Sequence, residues 1–290
     1  MNRRKVAGAL GLALVGWPAY LAGQENNALL AKVDDIAARL QARLGVVALD
    51  HETSRRFERN ADLLFPLTST FKAFAAAALL ARVDAGREEL SRRIRFSTDT
   101  LVTYSPITET RVGDAGMTLG EICEAACAVS DNTAGNLLLQ AIGGPSGLTD
   151  FMRGVGDGVT RLDRVETILN EGTPGDPRDT TSPRAAVASL DKLLLGHVLS
   201  ETSRGILKKW MLGNKVAGPL LRSGIPADWQ IADRSGAGGH GSRAIIAAIW
   251  PPNRKPVVVA IFITETQASM DDRNAAVAEL GKAMATTILT

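Results

Sequence analysis

The stretch that decides the fold and chemistry of this chain is Ser69-Thr70-Phe71-Lys72-Ala73-Phe74-Ala75-Ala76-Ala77-Ala78-Leu79-Leu80. Its apolar run predicts a buried helix, and the spacing i, i+3 places Ser69 and Lys72 on one face of that helix. A serine becomes a nucleophile when a base takes its proton, and a lysine acts as that base where burial lowers its pKa. The helix N-terminus adds partial positive charge where an attacked carbonyl develops negative charge. The sequence therefore predicts the active site at the start of this helix.

The Ser-x-x-Lys pattern occurs a second time, as Ser189-Leu190-Asp191-Lys192. This copy lies in an amphipathic stretch from Pro183 to Leu195, and we expect Ser189 and Lys192 to face water there. A short motif is only a hypothesis when it stands alone. The residues that follow Ser69 in order are what distinguish the first copy from the second.

Three further motifs follow Ser69 along the chain. They are Ser130-Asp131-Asn132, Glu166-Thr167-Ile168-Leu169-Asn170 and Arg234-Ser235-Gly236. With the Ser-x-x-Lys pair, this ordered set resembles the class A serine β-lactamases, which carry Ser-x-x-Lys, Ser-Asp-Asn and Lys-Thr-Gly motifs. The resemblance runs from about Ala31 to the C-terminus. It implies a serine β-lactamase, which opens the β-lactam amide bond of penicillins through an acyl-enzyme and confers antibiotic resistance.

The resemblance implies a catalytic role for each of five residues. Ser69 would be the nucleophile, Lys72 a base or charge stabiliser, and Ser130 the group that returns a proton to the ring nitrogen. Glu166 and Asn170 would hold and activate the water that hydrolyses the acyl-enzyme. Whether Lys72 or Glu166 is the base for acylation is disputed for the family.

A second group of residues would bind the substrate. Arg234 and Arg243 match the cations that hold the β-lactam carboxylate, and an arginine fork suits a carboxylate well. The backbone N–H groups of Ser69 and Ala237 would form the oxyanion hole. The remaining substrate-binding positions are Tyr104 at the entrance, Asn132, Ser235 and Gly236.

The chain departs from the family's pattern at two places. Arg234-Ser235-Gly236 stands where Lys-Thr-Gly is usual, and this triplet resembles the carbenicillin-hydrolysing branch of class A. The identical triplet Arg222-Ser223-Gly224 reads as a helix end, so we assign the motif to Arg234. Thr167 stands where the family often has a proline after a cis peptide. The sequence leaves open whether the Glu166–Thr167 peptide is cis.

The segment from Arg164 to Asp179 lacks periodicity and contains two glycines and two prolines. An aperiodic excursion of this composition predicts a compact Ω-loop. Its two ends carry opposite charges, and the family closes its Ω-loop with matching residues. We therefore expect Arg164 and Asp179 to pair and to close the loop.

The N-terminus indicates an exported protein. Met1-Asn2-Arg3-Arg4-Lys5, an uncharged run from Val6 to Trp17 and small residues up to Gly23 are typical of a signal peptide, which we place at residues 1–23. We expect cleavage near Gly23 and a free periplasmic protein without a membrane anchor, with Sec and twin-arginine export both open.

The charge balance gives no reason to expect a nucleic-acid partner. The full chain has 33 basic and 31 acidic residues and a formal net charge of +2. Residues 1–23 contain three of the basic residues and none of the acidic ones, so the remaining chain has a formal net charge of −1. The apparent basicity belongs to the targeting segment.

The two cysteines and three histidines predict neither a disulfide nor a metal site. Cys123 and Cys127 lie four residues apart on an apparent helix, where their side chains project in parallel, a poor geometry for a disulfide. We expect buried free thiols. The histidines are scattered without the spacing of metal ligands, so we expect no metal and no other cofactor.

Periodicity predicts an α+β fold with two lobes. The predicted elements are a helix (28–43), two strands (44–49, 55–60), a helical middle (68–212), three strands (230–234, 242–250, 257–264) and a last helix (271–288). The strands would form one five-stranded antiparallel sheet flanked by the terminal helices, beside an all-helical lobe, with the active site in the cleft between them. The predicted domains are 24–67 with 213–290 for the α/β lobe, and 68–212, including the Ω-loop, for the helical lobe.

Two other functions share parts of this pattern. A penicillin-binding DD-peptidase has the same Ser-x-x-Lys core but forms a long-lived acyl-enzyme, and Glu166 and Asn170 argue against it. A non-catalytic β-lactam sensor domain would need a damaged set of catalytic residues or a membrane tether, and the sequence shows neither. We expect a monomeric enzyme whose partner is a small-molecule β-lactam.

Overall fold

The computed structural model describes residues 17–289, and its side chains from residue 28 to 287 with the exception of Asp114. The strands are β1 (Arg43–Asp50), β2 (Arg56–Arg59), β3 (Phe65–Pro66), β4 (Arg93–Phe96), β5 (Gly113–Thr118), β6 (Thr180–Thr181), β7 (Gln230–Ala237), β8 (Arg243–Trp250) and β9 (Val257–Thr264). The helices are α1 (Trp17–Leu40), α2 (Phe71–Asp84), α3 (Leu119–Ala128), α4 (Asn132–Ile142), α5 (Gly144–Gly154), α6 (Pro183–Leu194), α7 (Glu201–Leu212) and α8 (Met270–Leu289).

The predicted five-stranded antiparallel sheet is confirmed. Its strand order is β2-β1-β9-β8-β7, so the first two strands of the chain join the last three. The register pairs Val46 of β1 with Ile261 of β9, and Arg234 of β7 with Ile246 of β8. Because β7 lies at the edge of the sheet, its outer side is available to the helical part of the chain.

The sheet is buried on both faces, and each face has its own hydrophobic core. One core joins the sheet to helices α2 to α7, and Ile246 of β8 belongs to it. The other core joins the opposite face to α1 and α8, and Ile245 belongs to it. Neighbouring residues of a strand point to opposite faces, so a strand buried on both sides reads as a continuous apolar run. This explains the sequence of β8 and β9.

Some predicted boundaries differ from the structure. Helix α1 ends at Leu40 rather than Arg43, because Arg43 already pairs with Thr264 in the sheet. The middle segment, predicted as helical, also carries the short antiparallel pair β4–β5, and β6 pairs with β3. Residues 1–16 of the predicted signal peptide lie outside the described residues. Within residues 17–289, none of the helices combines the length and the apolar character needed to cross a membrane.

Candidate active site

Ser69 lies in a single 3₁₀ turn, Thr68–Thr70, immediately before α2. Its Oγ is 3.1 Å from Nζ of Lys72, which is in the first turn of the helix. The edge strand β7 lies directly against this turn: a Cβ atom on Gly236 would be 2.0 Å from Thr68 Oγ1 and 2.6 Å from the Ser69 backbone nitrogen. Only glycine allows the strand this close to the nucleophile.

The ammonium group of Lys72 is completely buried and surrounded by oxygen atoms. Nζ donates to Asn132 Oδ1 at 2.6 Å and to the Ser130 carbonyl at 2.9 Å, and it lies 2.9 Å from Glu166 Oε1. The pKa of Lys72 is lowered to about 8, chiefly by burial and also by the charge of Arg234, while Glu166 acts in the opposite direction. Lys72 is therefore able to exchange a proton near neutral pH.

Glu166 is the second group that reaches the nucleophile. Its Oε1 accepts a hydrogen bond from Ser69 Oγ at 3.2 Å, and its Oε2 accepts one from Asn170 Nδ2. The Asn136 side chain holds the backbone of Glu166 on both sides, accepting from its N–H at 2.8 Å and donating to its carbonyl at 2.9 Å. The Glu166–Thr167 peptide is cis. Asn170 Oδ1 is buried and has no hydrogen-bond partner among the residues that the structure describes, so an acceptor for a water lies beside the carboxylate.

The Ser130-Asp131-Asn132 motif is fixed by its central carboxylate. Asp131 is fully buried and accepts from the Ala134 N–H at 2.8 Å, which caps α4. It also accepts from the N–H groups of Ile107 and Thr108, both at 2.9 Å. These bonds tie the start of α4 to the segment before β5 and so hold Ser130 at the active site.

Tyr104 stands at the entrance of the site. Its side chain is 53% exposed, and its backbone carbonyl accepts from the Asn132 N–H at 3.0 Å. The side-chain amide of Asn132 donates to the Thr103 carbonyl at 2.8 Å while its oxygen accepts from Lys72. Asn132 thus links the segment at Thr103 and Tyr104 to Lys72.

Arg234 is completely buried and lies against the backbone of the nucleophile. Its Nε donates to the Ser69 carbonyl at 3.2 Å, and its Nη1 donates to the Cys127 carbonyl at 3.2 Å and to Asn214 Oδ1 at 3.5 Å. Burial lowers the pKa of Arg234, although an arginine remains charged at neutral pH. The side chain therefore brings a positive charge to the nucleophile turn.

Arg243 brings a second buried cation to the same strand pair. It donates from Nε to Asn274 Oδ1 at 2.8 Å and from Nη1 to the Gly236 carbonyl at 3.1 Å. Burial lowers the pKa of Arg243 to about 10, and the charges of Arg234 and Arg273 act in the same direction. Two neighbouring buried cations form a site with a strong attraction for an anion. Of the other predicted binding positions on β7, Ser235 is buried and Ala237 is half-buried.

The ends of the predicted Ω-loop lie together. Arg164 Nε is 2.5 Å from Asp179 Oδ2, and Asp179 Oδ1 accepts from the backbone N–H groups of Asp163 and Arg164 at 2.7 and 2.9 Å. On the other side of the loop, the Gly239 N–H donates to the Asn170 carbonyl at 2.8 Å. The ion pair of Arg164 with Asp179 thus closes the loop at its ends, and the hydrogen bond to the Asn170 carbonyl holds its middle.

The second Ser-x-x-Lys copy lies away from this site, and the prediction that Ser189 faces water is wrong. Ser189 is buried and donates to Asp157 Oδ2 at 2.7 Å, because the buried carboxylate of Asp157 requires donors. Lys192 donates to the Val155 carbonyl at 2.7 Å. Both residues stabilise the helical part of the chain.

The prediction of buried free thiols is confirmed for Cys123 and Cys127. Burial raises the pKa of Cys127 to about 12, so its thiol is unreactive at neutral pH. Among residues 28–287, excluding Asp114, no group of three or more His, Cys, Asp and Glu side chains has the geometry of a metal site.

Three asparagines at the site were not found from the sequence. Asn136, Asn214 and Asn274 contact Glu166, Arg234 and Arg243 respectively. Each acts on a residue at least 20 positions away along the chain. Asparagine is also common in turns and caps, so these positions carry no local signal. Only the tertiary structure identifies them.

Comparison with known proteins agrees with this geometry. A family model described as the β-lactamase enzyme family matches residues 28–288. The β-lactamase AER-1 of Aeromonas hydrophila is 47% identical over 291 residues, covering 99% of this chain and 96% of that protein. The β-lactamase PSE-4 of Pseudomonas aeruginosa is 48% identical over 249 residues, covering 86% of each chain.

Solved structures give the same result. The class A β-lactamase of the last common ancestor of Gram-negative bacteria superposes with a TM-score of 0.88 at 53% identity, covering 89% of this chain and 98% of that one. The putative class A β-lactamase PenP from Rhodopseudomonas palustris superposes with a TM-score of 0.88 at 47% identity, covering 89% and 99%.

Proposed function

Because the chain belongs to the class A β-lactamase family and so hydrolyses the β-lactam amide bond of penicillins, we propose that Ser69, Lys72 and Glu166 carry out this reaction. The observation that supports the assignment most directly is the contact of Ser69 Oγ with both other groups, at 3.1 Å to Lys72 Nζ and 3.2 Å to Glu166 Oε1. These distances are those of a nucleophile hydrogen-bonded to its base. The activity confers resistance to the antibiotics it destroys.

Acylation begins when Ser69 Oγ attacks the β-lactam carbonyl carbon and gives its proton to Lys72 or Glu166. The carbonyl oxygen becomes negative and is stabilised by the N–H groups of Ser69 and Ala237. The C–N bond then breaks, and the ring nitrogen takes a proton from Ser130. Ser130 Oγ lies 3.4 Å from Lys72 Nζ, so the lysine is positioned to replace that proton.

Deacylation uses Glu166 and Asn170. A water held between the Glu166 carboxylate and the unpartnered Asn170 Oδ1 gives its proton to Glu166 and attacks the acyl carbon. The ester bond to Ser69 breaks, and Glu166, whose Oε1 lies 3.2 Å from Ser69 Oγ, gives that proton to the serine oxygen. This step separates a β-lactamase from a DD-peptidase that is inhibited by penicillin. Substrate binding falls to Arg234 and Arg243 for the carboxylate, and to Tyr104, Asn132, Ser235 and Gly236 around the ring and side chain.

One experiment tests the assignment of both steps. Glu166→Ala should accumulate a covalent adduct with benzylpenicillin on Ser69, observed by mass spectrometry of the intact protein and its peptides. Wild type, as the control, should turn over benzylpenicillin many times without lasting label. A Glu166→Ala variant that turns over like wild type would show that another group activates the water.

We extend the proposal to carbenicillin because of Arg234-Ser235-Gly236, which resembles the carbenicillin-hydrolysing branch of the family. Compared with a lysine, an arginine has a larger, planar and permanently charged side chain. It therefore changes the electrostatic potential over the cleft. Wild type should hydrolyse carbenicillin with an efficiency comparable to that for benzylpenicillin. Arg234→Lys should lower kcat/KM for carbenicillin more than for benzylpenicillin. Equal losses would make Arg234 a general carboxylate anchor.

Export, monomeric state and domain limits belong to the same proposal. The basic start, apolar run and small residues up to Gly23 support removal of residues 1–23 and release into the periplasm. The sheet supports an α/β lobe at 24–67 with 213–290 and a helical lobe at 68–212. A monomer is consistent with the proposed site, because all of the residues assigned to it come from one chain.

A further inference from the structure

Arg234 is a buried arginine that forms no ion pair with any acidic side chain in the described part of the chain. Its guanidinium has no carboxylate oxygen within 4.0 Å among the side chains that the structure describes. Its hydrogen bonds go to neutral acceptors, namely the carbonyls of Ser69 and Cys127 and the amide oxygen of Asn214. A buried charge is costly unless it is paired. An anionic substrate would supply the ion-pair partner that Arg234 lacks.

The acid that precedes Arg234 in the sequence is paired elsewhere. Asp233 is fully buried, and its two oxygens accept from Arg222, at 2.8 Å from Nη2 and 3.0 Å from Nε. Consecutive residues of a strand point to opposite faces, which separates the carboxylate of Asp233 from the guanidinium of Arg234. Asp233 therefore balances Arg222.

Asn214 connects these two charges. Its Nδ2 donates to Asp233 Oδ1 at 2.9 Å, and its Oδ1 accepts from the Val216 N–H at 3.1 Å and from Arg234 Nη1 at 3.5 Å. The amide orientation is fixed by these partners, because only a donor suits the carboxylate and only an acceptor suits the two N–H groups. A neutral amide thus fills a position where a carboxylate would face Arg234.

We propose that Asn214 is a positioning residue for substrate recognition, whose neutral amide holds Arg234 beside the nucleophile without neutralising it. The charge of Arg234 then stays available to the β-lactam carboxylate. This inference rests on the proposed function, in which Arg234 binds that carboxylate. A carboxylate at position 214 would pair with Arg234 in a buried site, where charges interact strongly, and would compete with the substrate.

The test exchanges the amide and the carboxylate. The double variant Asn214→Asp with Asp233→Asn keeps one amide, one carboxylate and the hydrogen bond between them, but it moves the negative charge from the Arg222 side to the Arg234 side. The substrates are benzylpenicillin and its methyl ester, which lacks the free carboxylate. We expect kcat/KM for benzylpenicillin to fall about tenfold or more, mainly through KM, and the value for the ester to change less than about threefold.

Two further variants complete the experiment. Asn214→Ser stays neutral, so the ratio of kcat/KM for benzylpenicillin to that for the ester should remain as in wild type. Asn214→Asp with Asp233→Ser replaces the exchanged pair if circular dichroism shows that the first double variant does not fold; it also keeps a donor to the new carboxylate and should lower the same ratio. A ratio that falls in Asn214→Ser as well would show that loss of packing, and not charge, is responsible.

The outcomes separate the inference from its premise. Equal losses for both substrates, or no loss, in the exchanged variant would assign Asn214 a purely structural role and overturn the inference. Wild type that does not hydrolyse benzylpenicillin would contradict the proposed function itself. Wild type that hydrolyses the ester as efficiently as benzylpenicillin would contradict the role of Arg234 in carboxylate binding.

Discussion

At the scale of single residues, two serines with the same local motif have different surroundings. Ser69 Oγ contacts Lys72 and Glu166, whereas Ser189 Oγ donates to the buried Asp157. We predict that Ser69→Ala removes penicillin turnover and leaves the fold intact. Ser189→Ala is the matched control: it should keep kcat and lower the free energy of unfolding by about 0.5–1.5 kcal/mol, since Asp157 Oδ2 loses one of its two donors and keeps Thr160 Oγ1. Loss of turnover in Ser189→Ala with retention in Ser69→Ala would reverse the assignment.

The buried Lys72 predicts a stability that depends on pH. Burial lowers its pKa from 10.5 to about 8 in the folded protein. Between these values the unfolded chain binds a proton that the folded protein has released, so the contribution of Lys72 to stability rises with pH and is lost as pH falls through the folded pKa. The free energy of unfolding of wild type minus that of Lys72→Met should increase by roughly 3 kcal/mol from pH 8 to 10.5. Urea denaturation at several pH values measures it, and a flat difference contradicts the shift.

The residues that sequence analysis identifies at the site are those in short ordered motifs. Ser69 with Lys72 and Glu166 with Asn170 lie close in sequence, so their spacing carries a signal. The supporting contacts lie elsewhere: Asn136 holds the backbone of Glu166 across 30 positions. For Ser189 the local pattern predicted exposure to water, whereas the side chain is buried against Asp157, which lies 32 positions away. Spacing along a chain cannot report such partners.

At the scale of elements, the edge strand β7 sets the position of the nucleophile turn. Gly236 approaches Thr68 and Ser69 so closely that any side chain would displace them. We predict that Gly236→Ala lowers the acylation rate about 10²-fold, since a displacement of the nucleophile near 1 Å has an effect of that size. Stopped-flow kinetics with benzylpenicillin measures it.

The control for this prediction is Gly154→Ala at the end of α5. A Cβ atom there would meet nothing within 4 Å. Its acylation rate should equal that of wild type, and its free energy of unfolding should change by less than about 0.5 kcal/mol. An unchanged rate in Gly236→Ala would mean that the turn adapts to the added methyl group.

The regular elements follow their periodicity closely, and the short ones do not. Strands β1, β8 and β9 and the helix after Ser69 have clear apolar patterns. The 3₁₀ turn at Thr68–Thr70 and the two-residue strands β3 and β6 are too short to have a period. Their existence depends on contacts with distant segments, such as the pairing of Phe65 with Thr181.

At the scale of the whole molecule, the terminal helices α1 and α8 pack on the same face of the sheet. Helix α1 buries Leu29, Val33 and Ile36 in the core that it shares with α8. Lys32 Nζ lies 2.9 Å from Glu279 Oε1 and joins the two terminal helices at the surface. Leu29, Lys32, Val33 and Ile36 follow the predicted cleavage site, so removal of residues 1–23 would leave their contacts in place.

This arrangement yields a prediction about processing. A protein consisting of residues 24–290 should unfold at the same urea concentration as the exported wild type and hydrolyse benzylpenicillin with the same kcat. A protein consisting of residues 41–290 lacks α1 and should fail to fold, because each fully buried apolar side chain contributes roughly 1.5–3 kcal/mol to stability. Mass spectrometry of the enzyme isolated from the periplasmic fraction gives the first residue of the mature protein, which we expect to be Gln24. An inactive or unfolded 24–290 protein would mean that the chain before Gln24 is part of the folded enzyme.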